Sequence, residues 1–340
     1  MKVLLVCERS AGHIFPALMF AKRLSKEPNQ IYFFLTAASL KKYVEDKGFT
    51  VIGKSLPFRN LIVEGVFRFF EALYIIFKLR PKKVIGFGGR DSFFLLLFSS
   101  FLFLDTAIYE PNLKSGKANK VLCLFVRKVW RGFRERQESK KIKAIGVPLR
   151  ENIRRIDRKE ARATLGLDDK LVIFCFGGSQ GSRFINNAFV KFVQSSKEDF
   201  SIIHLTGQEQ YFQISQLYNT ITKSKFIKDF YYDIQVLYSA ADIVVSRAGA
   251  NTLGEIAFYR VAPILIPHPQ GGAHQKENAF YFQRKGAASV FLQNNFSFQE
   301  FKDKLEELIT NSDLRLAMQG KLSTINLGVN FEDFCNSNCF

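Results

Sequence analysis

The sequence predicts an α/β protein made of two doubly wound domains, and three observations predict it. Apolar runs that do not alternate recur along the chain, as expected of parallel strands covered on both faces. The best-marked runs lead into a glycine-bearing loop and then into a segment with helical spacing. That order opens at Val3 and opens again at Leu171, which divides the chain into two similar halves. The 340 residues suit two domains, each able to bury its own core.

Taken in order, Val3–Cys7 reads as the first buried strand. A loop with Gly12 and His13 follows, and then a helix from Pro16 to Leu24. Ile31–Leu35 reads as a strand, Leu40–Lys47 as a helix and Val51–Ile52 as a strand. Val66–Lys78 is helical in spacing and ends just before Pro81, which disfavours helix in the residue ahead of it. Val84–Phe87 is a strand stopped by Gly88 and Gly89, and Ala107–Tyr109 is another. In the second half, Leu171–Phe176 runs into Gly177–Ser182, and a helix starts near Phe184. Ile202–Leu205, Ile243–Val245 and Ile264–Ile266 supply further strands. The boundary falls near Gly146–Arg150, after the basic stretch Arg127–Lys143. Ligands of such folds bind outside the carboxyl ends of the strands, so a twin-domain protein is expected to work in the cleft between its domains.

The net charge is +18, and it is unevenly placed. Residues 1–150 hold 28 Lys and Arg against 11 Asp and Glu, whereas the remainder holds 21 against 20. The first half therefore faces an anionic partner, a membrane surface or a nucleic acid. At 47% hydrophobic and 24% charged the composition is globular. Five cysteines, two of them in apolar runs, argue against a disulfide framework, and Cys335 with Cys339 lacks the partners of a zinc site. The longest apolar stretch, Ser92–Leu104, has 13 residues, short of the ~20 that a spanning helix needs. The expectation is a cytoplasmic protein without a transmembrane segment.

Four places carry chemistry. Gly177–Ser182 follows a strand and starts a helix, where small residues let backbone N–H groups reach a phosphate. It is neither GxGxxG nor GxxxxGK[ST], so a dehydrogenase and a P-loop NTPase are disfavoured; a tight turn without a ligand reads the same way. Ser246–Glu255 repeats the logic. Ala250, Asn251 and Thr252 offer N–H groups and a hydroxyl to a diphosphate, and Glu255, one turn on, offers a carboxylate to two ribose hydroxyls; ordinary helix capping is the other reading. In Pro267–Ala279, Gln275 and Asn278 are three apart and share a helix face suited to sugar hydroxyls, or belong to a plain surface loop. His13, beside Gly12 at the first strand end, is a candidate general base or a packing residue. No Cys/His cluster with metal spacing and no Ser/His/Asp arrangement is visible.

Val66–Lys78 places Phe67, Phe70, Leu73, Tyr74 and Phe77 on one side, with Arg68, Lys78, Arg80, Lys82 and Lys83 within or after it. Such a helix suits an anionic lipid surface, or it lies in the core with a solvated basic end. No nucleic-acid module is recognised, and no nucleic-acid partner is expected.

These features coincide in one family. Gly12–Leu18, Gly86–Gly89, Gly146–Arg150, Gly177–Gly181, Arg247–Ala250 with Thr252 and Glu255, and Pro267 with Gln275, Asn278 and Ala279 stand in the order seen in the MurG family. The chain resembles, over essentially its full length, these bacterial N-acetylglucosaminyltransferases, which convert lipid I to lipid II in peptidoglycan synthesis. The resemblance implies the GT-B fold, two Rossmann-like domains facing a central cleft. It sets an acceptor-binding, membrane-associating domain at 1–147 and a UDP-sugar domain at 148–324, with the segment from about 325 to 340 packing back on the first.

The resemblance further implies an inverting transfer of N-acetylglucosamine to the C4 hydroxyl of the lipid-linked muramoyl unit. His13 is then the base and Glu110 its competitor. Arg150, Ser179, Gln180, Ile227, Ala250, Thr252, Glu255, Gln275 and Asn278 hold the donor, with Ile227 meeting uracil through its backbone. Ser10, Gly12, His13 and Asn112 face the acceptor. No metal site and no protein-bound cofactor are implied, and a divalent cation such as Mg2+ is compatible with the diphosphate. UDP-N-acetylglucosamine, lipid I, the anionic membrane and other cell-wall synthesis proteins are the implied partners, at the cytoplasmic face of the bacterial inner membrane. Three stretches depart from the family: Glu8-Arg9-Ser10-Ala11 stands where GGTG precedes the family's Gly-His, Tyr109-Glu110-Pro111-Asn112 stands for HEQN, and Arg90-Asp91-Ser92 follows the second glycine pair in place of Tyr-Val-Ser. The rival expectations are a transferase acting on another lipid acceptor, such as a diacylglycerol, and a non-catalytic UDP-sugar-binding protein.

Overall fold

A computed structural model of the chain describes residues 1–7, 11–26, 28–36, 38–53, 61–90, 92–134, 138–178, 180–269, 272–325, 327, 331 and 334. Two compact units emerge. The first spans Met1–Arg150 together with the end of the chain, of which Phe331 and Phe334 are described; the second spans Glu151–Gly328.

The first unit runs β1 (Lys2–Cys7), α1 (Ala11–Leu24), β2 (Gln30–Leu35), α2 (Ala38–Glu45), β3 (Thr50–Ile52), α3 (Leu61–Leu79), β4 (Lys83–Gly86), α4 (Phe93–Phe101), β5 (Asp105–Glu110), α5 (Lys117–Phe125), β6 (Lys128–Arg131) and β7 (Ile142–Ala144). Its strands are parallel, in the order β3-β2-β1-β4-β5-β6-β7. The unalternating sequence of β1 has a direct cause. Val3, Leu5 and Cys7 enter one core layer with α1, while Leu4 and Val6 enter another with α3, α4 and α5. The first layer centres on Phe20, which stacks on Trp130 at 5.5 Å and meets Phe87 edge-on at 5.2 Å. Phe331 and Phe334 close this layer against Phe20 and Trp130.

The second unit runs α6 (Arg158–Thr164), β8 (Val172–Phe176), α7 (Arg183–Ser195), β9 (Ser201–Leu205), α8 (Tyr211–Leu217), β10 (Lys225–Lys228), α9 (Ile234–Ala240), β11 (Ile243–Ser246), α10 (Ala250–Tyr259), β12 (Ala262–Leu265), α11 (Gly272–Arg284), β13 (Ser289–Val290), α12 (Phe298–Thr310) and α13 (Ser312–Ser323). Its parallel sheet has the order β10-β9-β8-β11-β12-β13. Both sheets reverse strand order about their first strand, which makes each unit Rossmann-like and opens a ligand position at the carboxyl ends there.

The structure differs from the sequence reading in places. The first helix starts at Ala11, so Gly12 and His13 lie in its opening turn rather than in a loop. The Phe-rich stretch 93–101 is α4, with Leu95, Leu96 and Ser99 buried. The basic stretch after Arg127 contains β6 and β7, in which charged residues interrupt the apolar signal. The aromatic face of α3 points outward. Phe70, Tyr74 and Phe77 are each more than 60% exposed, while Arg68, Ala72, Ile75 and Ile76 face inward.

Candidate active site

In the second unit the candidate donor residues collect at the carboxyl ends of β8, β10, β11 and β12. The turn after β8 is built for small residues. A Cβ on Gly177 would lie 2.3 Å from the Ser182 nitrogen, and one on Gly181 (φ +79°) would lie 2.3 Å from the Thr206 carbonyl oxygen. Ser182 then caps α7, its Oγ accepting from the Ile185 N–H at 3.4 Å. The N–H groups of this turn and the positive end of α7 suit an anion. Gln180 is exposed on the turn, and Ser179 lies outside the described residues.

Ile227 sits on β10, the edge strand. The carbonyl oxygens of Ser224 and Lys228 accept from Ile202 and Thr206 of the β9 side. Carbonyls alternate along a strand, so the backbone N–H and C=O of Ile227 face away from β9, at the open edge of the sheet. A nucleobase edge can pair with such a group without displacing a ladder bond.

After β11, α10 begins at Ala250 with no side-chain cap at Gly249, which leaves its first N–H groups for a ligand. The Thr252 hydroxyl lies within this first turn, 3.9 Å from the position of a Cβ on Gly249. Glu255 is one turn further on and buried. Burial, helped by the Glu255 charge, pushes the Tyr259 phenol up. Beyond β12, the Gln275 side-chain oxygen accepts from the His268 N–H at 2.9 Å, and Asn278 is fully buried and donates to the Ala248 carbonyl at 3.2 Å. Both amides therefore hold loops at the strand ends as well as lying near them.

In the first unit the ends of β1, β4 and β5, neighbours in the sheet, converge. Gly12 is exposed and His13 half-buried in the opening turn of α1. The point where Gly88 (φ +97°) would carry a Cβ lies 3.3 Å from His13 Nε2 and 3.6 Å from Asn119 Nδ2. Glu110, at the end of β5, is 4% exposed and accepts four hydrogen bonds. Asn112 gives two to Oε1, from its N–H at 3.2 Å and its Nδ2 at 3.1 Å; Oε2 takes the Gly116 N–H at 3.0 Å and Asn119 Nδ2 at 3.0 Å. Tyr109, where the family has histidine, is turned into the core and its hydroxyl donates to the Gly146 carbonyl at 3.0 Å. The Arg150 guanidinium lies over the Phe15 ring, 5.2 Å from its centroid. Ser10, and the Glu8 and Arg9 departures beside it, lie outside the described residues. Among the described residues no group of three His, Cys, Asp or Glu could hold a metal ion.

Residues 4–131 match the glycosyltransferase family 28 N-terminal domain, and residues 172–328 match the family 28 C-terminal domain. A curated relative from Thermoanaerobacter sp. (strain X514) is 32% identical, covering 96% of this chain and 95% of its own length. One from Bdellovibrio bacteriovorus is 29% identical, covering 91% and 90%. Both are named UDP-N-acetylglucosamine–N-acetylmuramyl-(pentapeptide) pyrophosphoryl-undecaprenol N-acetylglucosamine transferase. The chain belongs to the MurG family of glycosyltransferases.

The crystal structure of MurG from Acinetobacter baumannii shares the fold, with a TM-score of 0.83 at 24% identity over 99% of this chain and 98% of that one. A UDP-GlcNAc 2-epimerase from Neisseria meningitidis, crystallised with UDP-GlcNAc, also shares it, with a TM-score of 0.68 at 13% identity over 99% of each chain. Within this MurG-family chain, two residues without an assigned role in the sequence reading sit among the candidates. Asn119 bonds Glu110 and lies near His13, and Arg247 links the turn after β8 to the loop after β12. Arg247 had a visible signal, a lone charge at a strand end otherwise made of small residues. Asn119 had none, because its position follows from how α5 returns to β5.

Proposed function

We propose that the chain transfers N-acetylglucosamine from UDP-N-acetylglucosamine to the C4 hydroxyl of lipid I, giving lipid II and UDP with inversion at the anomeric carbon. The observation that carries this reading is the donor side: the start of α7 after its glycine turn, and the start of α10, which has no side-chain cap, accompany an edge strand whose Ile227 backbone is open to a base. The relatives' shared name supplies the sugar and the acceptor.

In this reading the acceptor oxygen attacks the anomeric carbon in line. The new C–O bond forms as the bond to the β-phosphate oxygen breaks, and UDP leaves with the electron pair. His13 takes the hydroxyl proton. The Glu110 carboxyl group is saturated by four donors and shapes the acceptor loop, a positioning role rather than that of a base. Charge growing on the diphosphate is met by the helix N-termini and by Arg150. Where a divalent cation takes part, it travels with the diphosphate.

No helix among the described residues is long and apolar enough to cross a membrane. We assign membrane contact to the outward aromatic face of α3, together with Phe103 and Leu124, the most exposed apolar side chains of their segments. Lys78 and Lys120 lie on α3 and α5, Arg80 and Arg127 just beyond their ends, and these cations would meet anionic headgroups at the inner leaflet.

The test is incubation of the purified protein with labelled UDP-N-acetylglucosamine and lipid I. Formation of the lipid-linked disaccharide supports the reading. Label passing only to a different lipid, such as a diacylglycerol, or donor binding without any transfer, would replace it with one of the rivals.

A further inference from the structure

Arg247 follows β11 and is 8% exposed, yet no carboxylate among the described residues pairs with it. Its bonds go to neutral acceptors in two separate loops. Nη2 donates to Ser182 Oγ at 2.7 Å, and Nη1 donates to the carbonyls of Ile266 at 3.0 Å and Pro267 at 3.2 Å. Ser182 closes the turn after β8 and caps α7. Ile266 and Pro267 begin the loop whose next residue, His268, donates its N–H to Gln275. One guanidinium thus bridges the turn read as the diphosphate site and the loop read as the sugar site. The adjacent residue, Ala248, accepts from Asn278 and ties in α11.

The electrostatics run the same way. Burial draws the Arg247 guanidinium down to about 10, and the cationic Arg247, after burial, helps lower the nearby His268. A buried cation without a counter-ion costs stability unless something anionic completes it. Its Nε is also buried without a partner among the described residues.

We propose that Arg247 is a positioning residue for the donor, locking the diphosphate turn to the sugar loop and setting an uncompensated positive charge beside the diphosphate they hold. This rests on the donor reading above. Three acceptors in two loops match the planar fork of arginine, and a lysine cannot span them, whereas the charge alone survives in lysine. Shape and charge are therefore separable.

Arg247→Lys and Arg247→Gln in the full chain, with calorimetric binding of UDP and of uridine and steady-state kinetics with lipid I, make the test. The lysine variant is expected to bind UDP within about threefold of the parent while its kcat falls about tenfold or more, as misplaced loops cost rate. The glutamine variant is expected to bind UDP about tenfold or more weakly, having lost the charge. Uridine, which has no phosphate, binds all three alike. A glutamine variant with parental UDP affinity and kcat overturns the proposal. So does equal weakening of uridine and UDP in both variants, which marks a residue that only maintains the unit. If the glutamine variant does not fold, an unchanged kcat in the lysine variant overturns it alone. A parent protein that binds no UDP instead removes the donor reading on which the proposal stands.

Discussion

The side-chain amide of Asn119 donates to the Glu110 carboxylate at 3.0 Å, and the same amide nitrogen borders the space above Gly88 that His13 Nε2 also borders. The end of β5 and the start of α5 are thereby tied together, on the rim of the space that the opening turn of α1 also borders. Replacing Glu110 by Gln puts an N–H2 where two donors already point. The expected cost is about 1–3 kcal/mol of stability in the first unit, read by denaturant unfolding, since buried donors lose their acceptor. Turnover should fall with it, while the pH dependence of the residual activity keeps its shape. A vanished acidic limb in that profile would instead mark Glu110 as the base.

Gly88 is the tightest point of this cluster. At φ +97° it holds a conformation that side chains rarely adopt, and a methyl group would press on His13 at 3.3 Å. Gly88→Ala is expected to cost about 1–3 kcal/mol in strain and to displace the imidazole. Lipid I turnover should drop by about tenfold or more, as a small misplacement of a reacting group can cost that much. UDP affinity should change little, because every proposed donor residue except Arg150 belongs to the other unit. Parental turnover in the alanine variant would separate His13 from the chemistry.

Much of this was legible in the chain. Unalternating runs such as Val3–Cys7 and Leu171–Phe176 are parallel strands buried on both faces, and the glycines at 177 and 181 are small because a Cβ has no room there. The strands in Arg127–Lys143 were not legible, because β6 and β7 carry Lys and Arg beside Val129 and Trp130 and give no periodic signal. The direction of the α3 aromatics was open for a related reason. The helix has apolar residues all round, so spacing marks its faces without saying which one the core takes. Glu110 was legible as a motif residue, but its saturation by Asn112, Gly116 and Asn119 depends on the turn between β5 and α5.

His204 gives the second unit a dependence on pH. It is fully buried on β9, with Nδ1 accepting from the Tyr218 hydroxyl at 2.9 Å and Nε2 meeting Asn186 Oδ1 at 3.1 Å. The other titratable groups against it are the buried phenol of Tyr218 and thiol of Cys175, both pushed up by burial and so neutral. Burial lowers His204 from 6.5 to about 3. The folded state thus resists a proton that the unfolded chain accepts. Stability from this source is present above 6.5 and is lost as pH falls toward 3. Thermal unfolding should show a falling midpoint over that window, and His204→Gln should flatten it. An equal slope in the variant would assign the dependence elsewhere.

The outward rings of α3 should govern membrane contact. Phe70, Tyr74 and Phe77 replaced together by Ser remove three exposed rings and leave the inward row untouched. Each ring taken into an apolar phase is worth on the order of 1.5–3 kcal/mol, so even partial immersion of three should change vesicle binding by about tenfold or more. Sedimentation with vesicles rich in anionic lipid should show that loss, and added salt should weaken the parent further. Binding that ignores both the substitutions and the salt would place the contact on another surface.

The central claim is a transfer that needs both units, the second for the nucleotide-sugar and the first for the lipid. Its most direct measurement is the amount of UDP released against labelled N-acetylglucosamine incorporated, in vesicles with and without lipid I. The account expects one UDP for each sugar joined to lipid I through a β-1,4 link, and none above background when lipid I is left out. UDP release that is indifferent to lipid I, or an α-linked product, would contradict it.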